Sequence, residues 1–320
     1  MSAPSSIPPK PPSPTRPRVP RPKPKLPLSA FTSAPNSGSG ESFPLPASPT
    51  TTHPEIILDA NLIVKGGKLD LSLWKADAGQ ILASSDIPII SLSVPFKLED
   101  KTQNFPTYLS EIPTSLSTVF NESTPEGVES LKWALKRGRP VDVDIQAAIS
   151  DAVLESFEDI ISKATDGLTK IPPIVLSNIL PPPHDLELPI VKLMNHPTYL
   201  AFQSQVAALS LFPDVYVKFL PPSWDAPTPP TPSVEVAEIN DNQQKKEWKR
   251  RIKMYLAPVM EAFGYQRIIF GSSPCLTSSG SSIASDWYEI ARESLAELGV
   301  EQDSIDAVFY GNGKKVYGTE

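Results

Sequence analysis

From Pro140 onward the sequence repeats one pattern four times: a short β-branched, apolar run, then a stretch of helical period. The runs are Pro140–Ile145 (PVDVDI), Pro173–Leu180 (PIVLSNIL), Val215–Leu220 (VYVKFL) and Arg267–Phe270 (RIIF). The stretches between and after them cover 151–164, 197–212, about 241–263 and 286–298, with apolar residues at three- and four-residue intervals. Strands that alternate with helices in this way make a parallel sheet with helices packed outside it. Two architectures satisfy that rule, a TIM-type (β/α)8 barrel and a doubly wound open sheet. Residues 55–320 are close in number to the roughly 250 residues of a barrel. No glycine-rich phosphate loop follows an early strand, which weakens a nucleotide-binding open sheet. The expected fold is therefore an α/β barrel.

The first half is less regular. Ile56–Ile63 (IILDANLI), Lys68–Trp74 and Ile87–Val94 read as strands. Residues 100–123 show no clear period. Thr124–Gly138 reads as a helix, with Thr124 as N-cap, Pro125 behind it, and Val128, Leu131 and Leu135 on one face. Residues 64–140 leave little room for strands two to four, so the barrel is expected to be short or incomplete there.

Residues 1–54 hold 16 of the 38 prolines. Such a segment buries too little apolar surface to offset its ordering entropy, so it reads as a disordered arm of polyproline-II character. Residues 8–27 contain Pro11-x-x-Pro14-x-Arg16 and Arg21-x-x-Pro24-x-x-Pro27, spacings that suit an SH3 or WW domain. The arm carries six basic residues and one acid, so it stands at +5 of a net −7 and leaves the body at −12. An acidic body argues against nucleic acid as a partner. No apolar run approaches a membrane span. The N-terminus lacks the apolar stretch of a signal peptide, and its prolines forbid the amphipathic helix of a transit peptide. One cysteine, Cys275, excludes an internal disulfide and suits a reducing, cytoplasmic setting.

Alternation on Pro140–Gln146 puts Val141, Val143 and Ile145 on one face and Asp142, Asp144 and Gln146 on the other. If the apolar face meets the helices, both carboxylates enter the lumen. Lys218 shares a face with Tyr216 on its own strand. A pair of Lys218 with Asp142 or Asp144 across the barrel mouth is a candidate acid/base or Schiff-base site. The preferred reading is a structural ion pair, because buried charges need partners whether or not they catalyse. Cys275 with His184 or His196 is a weaker nucleophile candidate beside the ordinary reading of a small buried hydrophobe. Residues 277–285 (TSSGSSIAS) read as a solvated linker with the alternative of an anion-binding loop. The basic run 243–253 reads as the wet face of an amphipathic helix, with Trp248 on its packed side.

Several of these segments together resemble the amidohydrolase-related family of metal-dependent hydrolases. PDVYVKF (Pro213–Phe219) resembles that family's penultimate strand. FGYQRIIFGSS (Phe263–Ser273) resembles a segment that ends there in G-S-D-W-P. FYGNGKKVYG (Phe309–Gly318) resembles a closing G-N-A-x-x-x-Y motif. IVLSNILPPP (Ile174–Pro183) resembles the strand written V-L-D-H, and LDANLI (Leu58–Ile63) sits where the family has D-x-H-x-H. The resemblance implies a TIM barrel, a small cyclic ester or amide as substrate, and water attack at a mouth that holds a divalent metal, usually zinc. The family's metal positions fall here on Asn61, Ile63, Asn178 and Ser273, and the fifth strand has no histidine. Ile63 has no lone pair. Asn61 and Asn178 offer neutral amide oxygens, which suit hard cations better than zinc. The sequence therefore predicts no metal cofactor. It leaves three readings: a hydrolase with an altered site, a noncatalytic barrel that binds a small molecule or protein, and an adaptor that works through the proline-rich arm.

Overall fold

The computed structural model describes residues 52–61, 92–99, 114–145, 150–177, 188–224, 226–231, 239–275 and 282–318. All lie in one unit, Pro46–Glu320. Residues 1–51 of the arm, Ile63, Lys68–Trp74, Gln146, Asn178, His184 and residues 276–281 fall outside the described residues.

Six strands form one parallel sheet: β1 (Leu92–Pro95), β2 (Thr114–Phe120), β3 (Val141–Ile145), β4 (Ile174–Leu176), β5 (Val215–Phe219) and β6 (Ile268–Phe270). Their spatial order is their chain order. A doubly wound sheet reverses direction at a switch point. This one never does, so it is singly wound, the order of a TIM-type barrel. Helices α1 (Pro125–Leu135), α2 (Asp151–Thr165), α3 (Ile190–Leu193), α4 (Pro197–Ser210), α5 (Ile239–Phe263) and α6 (Ala284–Glu297) alternate with the strands from β2 onward. Two short helices, α7 (Gln302–Asp306) and α8 (Asn312–Tyr317), flank a π-turn at Ala307–Gly311.

Residues 56–61 depart from the expected strand. They carry no ladder, yet they run along the edge of β6 away from β5, where the Ala60 amide donates to the Phe270 carbonyl at 3.2 Å. The Leu58 amide donates to Phe309 in the π-turn at 2.8 Å. Close packing at this junction needs Gly271, because a Cβ there would lie 2.7 Å from that of Asn61. The described chain starts three residues before Glu55. Thr52 and His53 lend their carbonyls to Arg292 and Gln302 at 2.8 Å each.

The strand alternation sorts two environments. Val141, Val143, Ile145, Val215, Val217 and Phe219 face the helices and join one continuous core with Leu131, Phe157, Ile252 and Trp287. The opposite faces carry Asp142, Asp144, Val175, Lys218 and Ile269 into the interior, all buried. α8 inserts Val316 and Tyr317 beside Val175 and Ile269. β2 was not expected. Its interior face reads Ser115, Ser117 and Val119, so it lacks the apolar-in, polar-out signature of an ordinary strand.

The basic run of α5 is not simply a wet face. Lys245, Lys249 and Lys253 form an ion-pair ladder with Glu293 and Glu297 of α6, and Arg251 is 1% exposed. Trp248 packs edge-on against Trp224, with centroids 5.0 Å apart, as its place on the apolar stripe implied. Among the described residues no helix is long and apolar enough to cross a membrane.

Candidate functional site

The interior centres on Lys218. In the sheet register Asp142 lies beside Val175, and Val175 beside Tyr216. Lys218 is two residues beyond Tyr216, and its four-carbon stem reaches back across β4. Its Nζ donates to Asp142 Oδ2 at 2.6 Å and to Asn61 Oδ1 at 3.0 Å. The side chains of Lys218 and Asp142 are 0% and 1% exposed. The structure assigns the pair to Asp142. Asp144 is buried on the same face of β3, two residues further along. The pair is buried, near the start of β3.

Each partner is held by further groups. Asp142 Oδ1 accepts from the Tyr317 hydroxyl at 2.5 Å, and Oδ2 also accepts from Ser93 at 3.3 Å. The Tyr317 ring presents its face to the Lys218 ammonium, with 5.3 Å from Nζ to the centroid. Arg139 fixes this last helix by donating to the Tyr317 carbonyl at 2.8 Å. Asn61 uses its amide nitrogen on the Ser273 and Pro274 carbonyls, at 2.7 and 3.1 Å. Asp59 ties the same segment to the exit of β6, accepting from the Ser272 amide at 3.0 Å and from the Ser272 hydroxyl.

The phenol of Tyr317 is held well above the usual tyrosine range. Burial is the largest cause, and the Asp142 charge and hydrogen bond add to it, against an opposing contribution from Arg139. A raised folded-state value stabilises the neutral phenol. That contribution is complete below about pH 10, the unfolded value, and is lost as pH rises through the folded one. Burial pushes Tyr255 and Tyr288 up to about 12, so they act in the same window. Tyr317→Phe is expected to lower stability at pH 8 by about 1–3 kcal/mol, since Asp142 loses a buried donor. It is also expected to flatten the fall in stability above pH 10. Urea unfolding midpoints from pH 8 to 11 measure both.

Of the family's metal positions, Asn61 and Ser273 are described, and they do not fit zinc. The oxygen of Asn61 faces an ammonium at 3.0 Å, and its amide nitrogen is turned toward two carbonyls. A dication bound at that oxygen would sit against a unit positive charge. Ser273 meets Asn61 through its carbonyl. Among the described residues no group of three or more His, Cys, Asp or Glu is placed to hold a metal ion. The other candidates are dispersed. Cys275 is buried with its sulfur 3.8 Å from the Ser223 hydroxyl. His196 is an exposed N-cap of α4, its Nδ1 accepting from the Thr198 amide.

Sequence reasoning found Asp142, Lys218 and Asn61 but missed three of the groups that organise them. Asp59 is the first letter of the segment matched to D-x-H-x-H, and Tyr317 is the last letter of the closing motif. Both were legible as motif positions. Ser93 carried no signal, because a serine in a short strand is ordinary.

No protein-family model matches this sequence, and no curated protein matches it. Solved structures do resemble it in chain path. An amidohydrolase from Burkholderia multivorans crystallised with bound HEPES is 11% identical, covering 82% of this chain and 99% of its own, with a TM-score of 0.46. A second crystal form described with bound zinc is 13% identical, covering 75% and 70%, with a TM-score of 0.42. A putative 2-pyrone-4,6-dicarboxylic acid hydrolase from Pseudomonas putida is 14% identical, covering 71% of each chain, with a TM-score of 0.41. The fold assignment rests on the strand order and not on these scores.

Proposed function

We propose that this protein is an amidohydrolase-related barrel of hydrolase descent whose present role is to bind a small molecule or a protein without hydrolysing it. The observation that carries this reading is the engagement of Asp142. Its two oxygens accept from Lys218, Ser93 and Tyr317, and its side chain is buried. A general base needs a lone pair within reach of the attacking water. A Schiff-base lysine needs a neutral amine that a carbonyl can approach. Lys218 is fully buried, and its Nζ is taken up by Asp142 and Asn61, so a carbonyl has no approach to it. Both groups are therefore used by the fold and are poorly placed for chemistry.

The test is an assay of the purified full chain on lactones, cyclic amides and aryl esters, with and without added zinc or manganese, alongside elemental analysis. The expected result is substoichiometric metal and no turnover above buffer. Turnover that disappears in Asp142→Asn, with the fold retained, would overturn the proposal and restore the hydrolase reading.

A further inference from the structure

We infer that the Lys218 ammonium is a resident cation around which the barrel interior is built, a tethered charge held by Asn61, one of the positions that the family resemblance gives to a metal ligand. This deepens the metal-free part of the reading above and rests on it. The surroundings of Nζ have the composition of a cation site. One anionic oxygen comes from β3, one neutral amide oxygen from the segment beside β6, and one aromatic face from α8. Oxygens and a π-face arranged around a positive charge are what a bound cation attracts. A second layer fixes each of them. Ser93 and Tyr317 orient Asp142, the Ser273 and Pro274 carbonyls orient Asn61, and Arg139 anchors Tyr317. Ligands held by outer hydrogen bonds in this way are the usual construction of a metal centre. Here the same construction closes on an amine delivered by β5.

If the ammonium is a ligand that happens to be covalently attached, the site should accept a free one. Lys218→Ala removes Cγ, Cδ, Cε and Nζ, the atoms of propylammonium, and leaves the cage with its acceptors. Thermal unfolding of full-length Lys218→Ala is expected to occur well below the wild type. Propylammonium chloride is expected to raise it saturably, by roughly 5–10 °C at a hundredfold excess over its dissociation constant. Propanol, of the same shape without charge, is expected to do much less. Wild type, and Lys218→Ala combined with Asp142→Asn, are expected not to respond. Rescue by manganese or zinc in place of propylammonium would also support a cation cage. Equal rescue by propanol would mean the position only fills space, and no rescue of a folded Lys218→Ala would mean there is no cage. Both results overturn the inference.

Lys218→Gln provides a check that does not depend on rescue. It keeps a long hydrogen-bonding side chain without charge. The inference expects it to be destabilised and to recover when Asp142→Asn is added. Wild-type stability in Lys218→Gln alone would overturn it. These measurements use no substrate, so their failure is separable from a failure of the binding reading, which rests on turnover.

Discussion

Lys218→Met is expected to destabilise the protein by about 3–5 kcal/mol, among the largest effects of any single substitution in this chain. The cost does not measure the attraction of the pair. A buried ion pair is worth little relative to neutral groups of the same shape, because both charges were taken out of water to make it. Removing the ammonium alone leaves Asp142 at 1% exposure with only the Ser93 and Tyr317 hydroxyls to neutralise it. Adding Asp142→Asn to Lys218→Met should therefore recover most of the loss, while Asp142→Asn alone should be about as damaging as Lys218→Met. Urea unfolding of the four proteins at one pH gives the coupling directly. If the double variant equals the sum of the singles, the two side chains act independently and the centre described above does not exist.

Trp287→Ala is expected to cost about 3–5 kcal/mol, for a different reason. Trp287 sits in the first turn of α6 and is 0% exposed. Its ring meets Phe219 edge-on at 5.1 Å, and its Nε1 donates to the Gly271 carbonyl at 3.1 Å. Phe219 follows Lys218, and Gly271 presses against Asn61. One side chain thus joins the helix layer to the two strand ends that frame the interior. Trp287→Phe keeps an aromatic ring but removes the donor, and should cost about 1–3 kcal/mol. Denaturant midpoints for both variants separate packing from the hydrogen bond. A Trp287→Ala loss no larger than that of Trp287→Phe would mean that the strand ends do not depend on the buried indole.

How far the sequence carries depends on the element. Helix α1 was legible from its cap and its apolar period, and α2 from its apolar period alone, its Ser150 cap having gone unread. Thr124 accepts from the Gly127 amide at 3.0 Å, and Ser150 from Val153 at 3.4 Å. β3 and β5 were legible because valines alternate with Asp142 and Asp144 in one and with Tyr216 and Lys218 in the other, and that alternation also placed Asp142 and Lys218 on one face. β2 was hidden for the converse reason, since an interior lined with serine erases the contrast on which strand reading depends. The partner choice of Lys218 was not legible. Asp142 and Asp144 are equivalent in sequence, and only the stagger of the sheet and the arrival of Tyr317 distinguish them. The ladder of Lys245, Lys249 and Lys253 was read as solvated because its acids lie on another helix, more than 40 positions away.

The hydroxyl that completes Asp142 comes from a residue 175 positions later in the chain. Synthesis runs from the N-terminus, so β3, β4 and β5 emerge with a carboxylate and an ammonium already on one face and nothing to close over them. Until α8 has been made, that face lacks the Tyr317 hydroxyl and ring that pack against the pair. A chain cut before Asn312 would keep all six described strands and still leave Asp142 without the Tyr317 hydroxyl.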